Sequence, residues 1–201
     1  MTMIETGNGR VTARGARPPK NKPEDIRTVD VIGLHVGLVD YARAAEVIID
    51  WAEAGDQAYA VAAANTHVAA LTRHNPEYRA AMDRFDLVCP DGMPLRWAVN
   101  HALSEDQRLS DRVYGPTLML RTLEASAERH EVRHFLLGGA DATLDKLVRR
   151  MALDFPGTEL AGVYSPPFGE WPDDEFERIC NKIVESKASV VWVGLGCPKQ
   201  E

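Results

Sequence analysis

Residues 132–155 read VRHFLLGGADATLDKLVRRMALDF, and this stretch decides the fold class. Residues 132–139 form a short apolar run that ends in a glycine pair, which is typical of a buried strand. Residues 140–155 carry the amphipathic pattern of a helix. A strand that turns through glycines directly into a helix is the repeating unit of an α/β protein with a parallel sheet.

The same alternation continues on both sides of this stretch. We predict strands over residues 29–39, 58–64, 86–90, 132–139, 158–164 and 188–196, and helices over residues 41–55, 66–74, 76–85, 92–103, 115–130, 140–155 and 172–187. The order predicts a Rossmann-like α/β fold, in which helices cover both faces of a mostly parallel sheet. The first apolar run is expected to be one or two strands bent at Gly33 or Gly37. The last is almost continuously apolar, which predicts burial on both faces.

Composition limits the function classes. Hydrophobic residues make up 45% of the chain, as in soluble globular proteins, and the net charge of −7 argues against general nucleic-acid binding. No apolar run approaches the roughly 20 residues of a membrane span. Three cysteines without paired spacing indicate a reducing compartment, so a cytoplasmic location is predicted.

The chain divides into two parts by composition. Residues 1–27 are rich in Gly, Pro, Lys and Arg and lack the apolar core of a secretory signal. They predict a disordered arm, with a weak basic contact to anionic lipid as the alternative. Residues 28–201 form the predicted folded domain.

Polar residues follow the predicted strands, and ligands bind beyond the carboxyl ends of strands in an open parallel sheet. Asp91 lies between a strand-ending proline and a glycine that begins a helix. Its carboxylate could act as a general base or cap the helix, and the position leaves both open. Asn65 follows another strand and could bind a sugar or a base, or cap the next helix.

Two further positions suit a phosphate. Gly138 and Gly139 separate a strand from a helix, so they could let a phosphate approach helix N-terminal amides or could form a tight turn. Arg112 could grip a diphosphate or form a surface salt bridge. The full dinucleotide and Walker signatures are absent, and no His and carboxylate set has metal-ligand spacing, so no bound metal is predicted.

Four segments in this order carry a resemblance to a known family. They are ANTHVAALTRHNPEYRAAMDRFDLVCPDGMPL at residues 64–95, DRVYGPTLM at 111–119, HFLLGG at 134–139 and VGLGCPKQE at 193–201. Together they resemble the WecG/TagA/CpsF family of bacterial glycosyltransferases, over residues from about 29 to 201. The combination of PDG with GxPKQE is distinctive.

The resemblance implies an inverting, metal-independent hexosyltransferase without a cofactor. It implies transfer of an N-acetylmannosamine-, mannosaminuronate- or hexose-type sugar from a UDP-sugar to a polyprenyl-diphosphate-linked saccharide. Such enzymes build cell-surface polysaccharides and contact the inner face of the plasma membrane peripherally. The resemblance places the catalytic base on Asp91 and substrate-binding residues on Asn65, Arg112, Gly138, Gly139 and Gln200; we add Thr66, which follows Asn65.

The sequence departs from the family in two ways. Ala63 stands where the family has a threonine, and Thr66 is not taken as its replacement. Relatives also continue past PKQE into a basic C-terminal appendage, which these 201 residues do not include. We therefore expect weak or no turnover from this chain, and self-association through exposed apolar surface.

Two alternatives stay open from sequence. One is a UDP-sugar-binding remnant with impaired catalysis, favoured by Ala63 and the missing appendage. The other is an oxidoreductase with a nucleotide cofactor, suggested by the strand–glycine–helix turn. Against the oxidoreductase, the sequence has no acidic residue on a second strand end at the spacing that binds a ribose.

Overall fold

The computed structural model describes residues 3–7, 10–14 and 26–201 of the chain. Its helices and strands, in chain order, are β1 (Met3–Gly7), β2 (Arg10–Arg14), β3 (Thr28–Val31), β4 (Leu34–Gly37), α1 (Tyr41–Ala54), β5 (Val61–Ala64), α2 (Thr66–His74), α3 (Pro76–Met82), β6 (Leu87–Pro90), α4 (Met93–His101), α5 (Gly115–Ser126), β7 (Arg133–Leu137), α6 (Asp141–Asp154), β8 (Glu159–Tyr164), α7 (Glu175–Ser186) and β9 (Val190–Val193). None of the described helices is both long and apolar enough to cross a bilayer.

The arm contains one strand pair, since β1 and β2 run antiparallel. Residues 1–2, 8–9 and 15–25 lie outside the described residues. The assignment of residues 1–27 to a disordered arm therefore stays a prediction.

The first apolar run forms an antiparallel hairpin of β3 and β4. The chain turns at Ile32 and Gly33, whose φ angles of 51° and 94° are both positive, as a tight hairpin turn requires. The predicted bend at Gly33 is confirmed. Gly37 instead is the last residue of β4, where a Cβ atom would lie 2.7 Å from Leu87 Cδ1. This glycine lets β4 approach β6 closely.

The remaining strands are parallel. β5 pairs with β6, and β7 lies between β8 and β9. Alternate side chains of these strands face different helices, as the pleat dictates. Val88 of β6 packs with α2, α3 and α4, whereas its neighbours Leu87 and Cys89 pack with α1 and α5.

The central strand β7 follows the same rule. Leu136 faces α5 and α6, while Phe135 and Leu137 face α7. Helices therefore cover both faces of the parallel strands, and the predicted α/β fold is confirmed. The predicted burial of β9 is confirmed at Val190, which is 9% exposed. It is wrong at Val193, which is 42% exposed. Among the described strands, β9 pairs with β7 alone, so its end is less covered.

A buried histidine joins α5, β7 and β9. His134 is fully buried, and its Nδ1 accepts a hydrogen bond from Trp192 Nε1 at 3.1 Å. The indole nitrogen can only donate, so Nε2 of His134 carries the proton and donates to Ser126 Oγ at 2.8 Å. Ser126 Oγ in turn donates to the Leu123 carbonyl at 3.0 Å. These three hydrogen bonds require the neutral imidazole of His134.

We expect this histidine to make stability depend on pH. Burial lowers the pKa of His134 to about 4 from an ordinary value of 6.5. The unfolded chain then binds more protons between these values, so stability falls as pH drops from 6.5 and the loss is complete near pH 4. The loss is about 3 kcal/mol in the free energy of unfolding, measurable by urea titration at pH 7 and pH 4.

The variant His134→Gln should lose most of this pH-dependent difference. His101→Gln, at an exposed position on α4, is the control and should keep it. An unchanged pH dependence in His134→Gln would contradict the neutral, buried assignment.

Candidate active site

Asp91 lies at the carboxyl end of β6. Its backbone amide donates to the Ala64 carbonyl at 2.8 Å, which continues the pairing of β5 with β6 by one residue. Gly92, with φ of 96°, is the residue that caps α4, and no side chain caps that helix. The helix-cap alternative for Asp91 is therefore not what the structure shows. Its side chain faces a different helix.

The Asp91 carboxylate lies at the N-terminus of α5. Its Oδ2 accepts from the Gly115 amide at 3.5 Å, at the outer limit of a hydrogen bond, and the residue is half-buried. Burial raises the pKa of Asp91, while the Gly115 amide and the Arg112 charge lower it; the net direction is upward. A carboxylate with increased proton affinity is suited to accept a proton from a hydroxyl group.

The loop before α5 is held to this edge by three successive backbone amides. Val113 donates to the Pro90 carbonyl at 2.8 Å, and Tyr114 donates to the Tyr41 hydroxyl at 3.0 Å. Gly115 is the third, through its contact with Asp91. Sequence reasoning missed Tyr41, because its partner is 73 positions away and no local motif marks it.

Arg112 lies in this loop and is half-buried. Its guanidinium stacks on the Tyr114 ring, with Cζ 5.0 Å from the ring centroid. Among the described residues it makes no side-chain hydrogen bond or ion pair, so the surface salt bridge suggested by sequence is not formed. The guanidinium donors remain available to an anion.

Asn65 caps α2, as one of the two sequence alternatives predicted. Its Oδ1 accepts from the amides of His67 at 2.9 Å and Val68 at 3.2 Å. The residue is exposed, and a Cβ atom on Gly92 would lie 4.0 Å from Asn65 Cβ. Asn65 therefore borders the turn that carries Asp91. The amide nitrogen of the Asn65 side chain has no partner among the described residues, so it can donate to a ligand while Oδ1 caps α2.

Two neighbours of Asn65 complete this edge. Thr66, the first residue of α2, is exposed, and its hydroxyl has no partner within the described part of the chain. Ala63 packs beneath the start of α5, where a Cβ atom on Gly115 would lie 3.2 Å from Ala63 Cβ. We refer to Asn65, Asp91 and Arg112 as the Asp91 cluster.

The glycine pair has a different environment at the end of β7. The Gly138 amide donates to the Tyr164 carbonyl at 2.9 Å, so it continues the pairing with β8 and is not free for a phosphate. With φ of 109°, Gly138 also approaches Gly194 so closely that a Cβ atom would lie 2.5 Å from its carbonyl oxygen. The tight-turn alternative therefore describes Gly138.

Gly139 is open to solvent. Apart from its two chain neighbours, no residue has an atom within 4 Å of a Cβ atom placed on Gly139, and the Gly139 carbonyl accepts from Ser165 Oγ at 2.7 Å. The first turn of α6, which follows, has no side-chain cap. Gly139 and this helix start leave amides available for an anion, although Asp141 in the same turn adds a negative charge.

Gln200 lies in a local turn after β9. Its Oε1 accepts from the Gly196 amide, and its Nε2 donates to Glu201 Oε1, both at 3.1 Å. The segment packs on α3 through Cys197 Sγ, which lies 3.4 Å from the Tyr78 hydroxyl. Within the described residues, no hydrogen bond or ion pair joins Gln200 or the glycine pair to the Asp91 cluster. Asn65, Thr66, Asp91 and Arg112 thus lie at one edge of the sheet, and the binding roles of Gly138, Gly139 and Gln200 stay predictions.

Metal-binding side chains do not converge in the part of the chain that the structure describes. No group of three His, Cys, Asp or Glu residues there could hold a metal ion. The metal-independent reaction and the lack of a cofactor stay predictions.

Comparison with known proteins gives two matches. The model of the "Glycosyl transferase WecG/TagA/CpsF family" matches residues 29–201. A protein of Bacillus spizizenii named N-acetylglucosaminyldiphosphoundecaprenol N-acetyl-beta-D-mannosaminyltransferase is 30% identical over 141 residues. That alignment covers 70% of this chain and 51% of the relative, so the chain spans about half the length of the relative it matches.

We expect Arg112 to control the proton affinity of Asp91. Its positive charge lowers the pKa of Asp91, so Arg112→Gln should raise that pKa further. A ¹³C NMR titration of the Asp91 carboxyl measures this, with Arg121→Gln, an exposed arginine paired to Glu124, as the matched control. A pKa that is unchanged or lower in Arg112→Gln would show that the two side chains do not interact.

Proposed function

The chain belongs to the WecG/TagA/CpsF family of glycosyl transferases, as the resemblance predicted, and on this premise we propose that it transfers a sugar from a UDP-sugar to a polyprenyl-diphosphate-linked saccharide. The observation that carries the proposal is the half-buried Asp91 carboxylate. Its pKa is raised by burial, and it lies near the Arg112 guanidinium, which has no ion-pair partner among the described residues. A general base and a cation at one sheet edge suit the transfer of a sugar whose leaving group, a nucleoside diphosphate, is anionic.

Asp91 is the general base of the proposed reaction. Its carboxylate takes the proton of an acceptor hydroxyl, whose oxygen forms a bond to the anomeric carbon of the donor. The bond from that carbon to the diphosphate oxygen breaks, and its electron pair leaves with UDP. Attack from the face opposite the leaving group inverts the anomeric configuration. General-base catalysis of this kind contributes about 10²–10⁴-fold in rate.

Arg112 meets the charge that develops on the leaving diphosphate. A guanidinium with available donors binds phosphate oxygens in pairs, and a half-buried site strengthens the interaction relative to water. The Gly139 amide and the uncapped start of α6 offer further donors at the carboxyl end of β7. The Gly138 amide is already used in the sheet, so it has no part in this proposal.

The name of the matched relative guides the choice of substrates. The matched Bacillus protein is named for N-acetylmannosaminyl transfer to N-acetylglucosaminyldiphosphoundecaprenol. For this chain we therefore place an N-acetylmannosamine-type donor first, ahead of mannosaminuronate and hexose donors, and propose an acceptor of the same polyprenyl-diphosphate class. Such an acceptor is membrane-bound, so we propose action at the cytoplasmic face of the plasma membrane.

The proposal is tested by sugar transfer from UDP-N-acetylmannosamine to an N-acetylglucosamine diphosphate lipid. Asp91→Asn should lower kcat by about 10²–10⁴-fold, because the amide cannot accept the hydroxyl proton, while UDP binding persists. Asp106→Asn, an exposed aspartate outside the Asp91 cluster, is the matched control and should transfer sugar at the original rate. UDP release and product formation are followed together.

Three outcomes separate the alternatives. Full activity in Asp91→Asn removes Asp91 as the base. Binding of the UDP-sugar without any transfer, in the presence of acceptor, favours the binding remnant. Thermal stabilisation by NAD but not by UDP favours the oxidoreductase, which the family match already argues against.

A further inference from the structure

We propose that Tyr41 is a positioning residue for sugar transfer: its hydroxyl fixes the loop that carries Arg112 and that presents the Gly115 amide to Asp91. This inference rests on the proposed function. It assigns a part in the reaction to a side chain that no motif marks and that lies in a different element from the Asp91 cluster.

The ring of Tyr41 is held by the protein core. Tyr41 is the first residue of α1, and its ring packs against the apolar cluster that includes Leu87, Cys89, Val113 and Leu118. The helix start is fixed by Asp40, whose Oδ1 accepts from the Arg43 amide at 2.8 Å. The Tyr41 hydroxyl is thus an acceptor that α1 holds in a fixed position beside the loop before α5.

The loop needs that acceptor because of where it lies. Tyr114 caps α5 and Gly115 begins it, so neither amide has a partner within the helix. No side chain of the loop itself caps this helix. The Tyr41 hydroxyl accepts a hydrogen bond from the Tyr114 amide at 3.0 Å, and the Asp91 carboxylate accepts one from the Gly115 amide at 3.5 Å. Loss of the first contact frees Tyr114, whose ring contacts the Arg112 guanidinium and which directly precedes Gly115.

The charges around Asp91 make such a movement measurable. Arg112 faces Asp91 from the loop, the Gly115 amide from α5, and the buried Cys89 thiol from β6. Burial raises the pKa of Cys89 to about 12, so the thiol stays neutral and does not compete for protons near neutral pH. Arg112 and Gly115 both lower the pKa of Asp91, so moving them away raises it.

Tyr41→Phe tests the proposal, because it keeps the ring in the core and removes only the acceptor oxygen. KM for the UDP-sugar should rise about three- to tenfold, the range that one neutral hydrogen bond supplies. The Asp91 carboxyl should titrate at higher pH by ¹³C NMR, and the acid limb of the kcat/KM profile should move with it. Tyr59→Phe is the control, since its hydroxyl bonds to Gln57 in a surface turn.

The experiments test the role of Tyr41 separately from the proposed transfer reaction. An unchanged KM together with an unchanged Asp91 titration in Tyr41→Phe overturns it, and so does a loss of thermal stability alone. If Asp91→Asn retains full transfer, the proposed reaction fails, yet the Asp91 titration in Tyr41→Phe still shows whether Tyr41 holds the loop. The expected result is a shift in both readouts, with Tyr59→Phe at the original values.

Discussion

Three neighbouring backbone amides, at residues 113, 114 and 115, hold one loop against the carboxyl edge of the sheet. Two of them donate to the end of β6, at the Pro90 carbonyl and the Asp91 carboxylate, and the third donates to the Tyr41 hydroxyl on α1. A hydrogen bond contributes about 0.5–1.5 kcal/mol net, so each contact restricts where the loop can lie. The position of Arg112 relative to Asp91, and with it any chemistry at this edge, follows from these contacts.

The sheet provides the fixed frame for that loop. Successive residues of β6 alternate between the cluster of α2, α3 and α4 and the cluster of α1 and α5. Both faces of the strand are therefore packed, and its carboxyl end projects Asp91 from a rigid support. The same packing places Tyr41 beside the loop, because α1 and α5 share one apolar cluster. Packing in the core and geometry at the edge are thus two consequences of one alternating pattern.

Much of this arrangement could be predicted from sequence, because local patterns encode it. Apolar periodicity and glycines gave the order of strands and helices, and a strand followed by Pro-Asp-Gly directed attention to Asp91. Capping by Asn65 was one of two open alternatives. The contact of Tyr41 with the loop could not be predicted, since it depends on how two helices pack. The occupied amide of Gly138 was likewise hidden, because it depends on the register of β7 with β8.

We propose that the Asp91 cluster binds the reacting end of a UDP-sugar, and a crystal structure of the protein with UDP would decide this. A phosphate oxygen should lie within hydrogen-bonding distance of the Arg112 guanidinium, with the Asp91 carboxylate beside the space that the sugar would fill. UDP bound away from this edge, with Arg112 still stacked on Tyr114 and free of phosphate, would rule the proposal out.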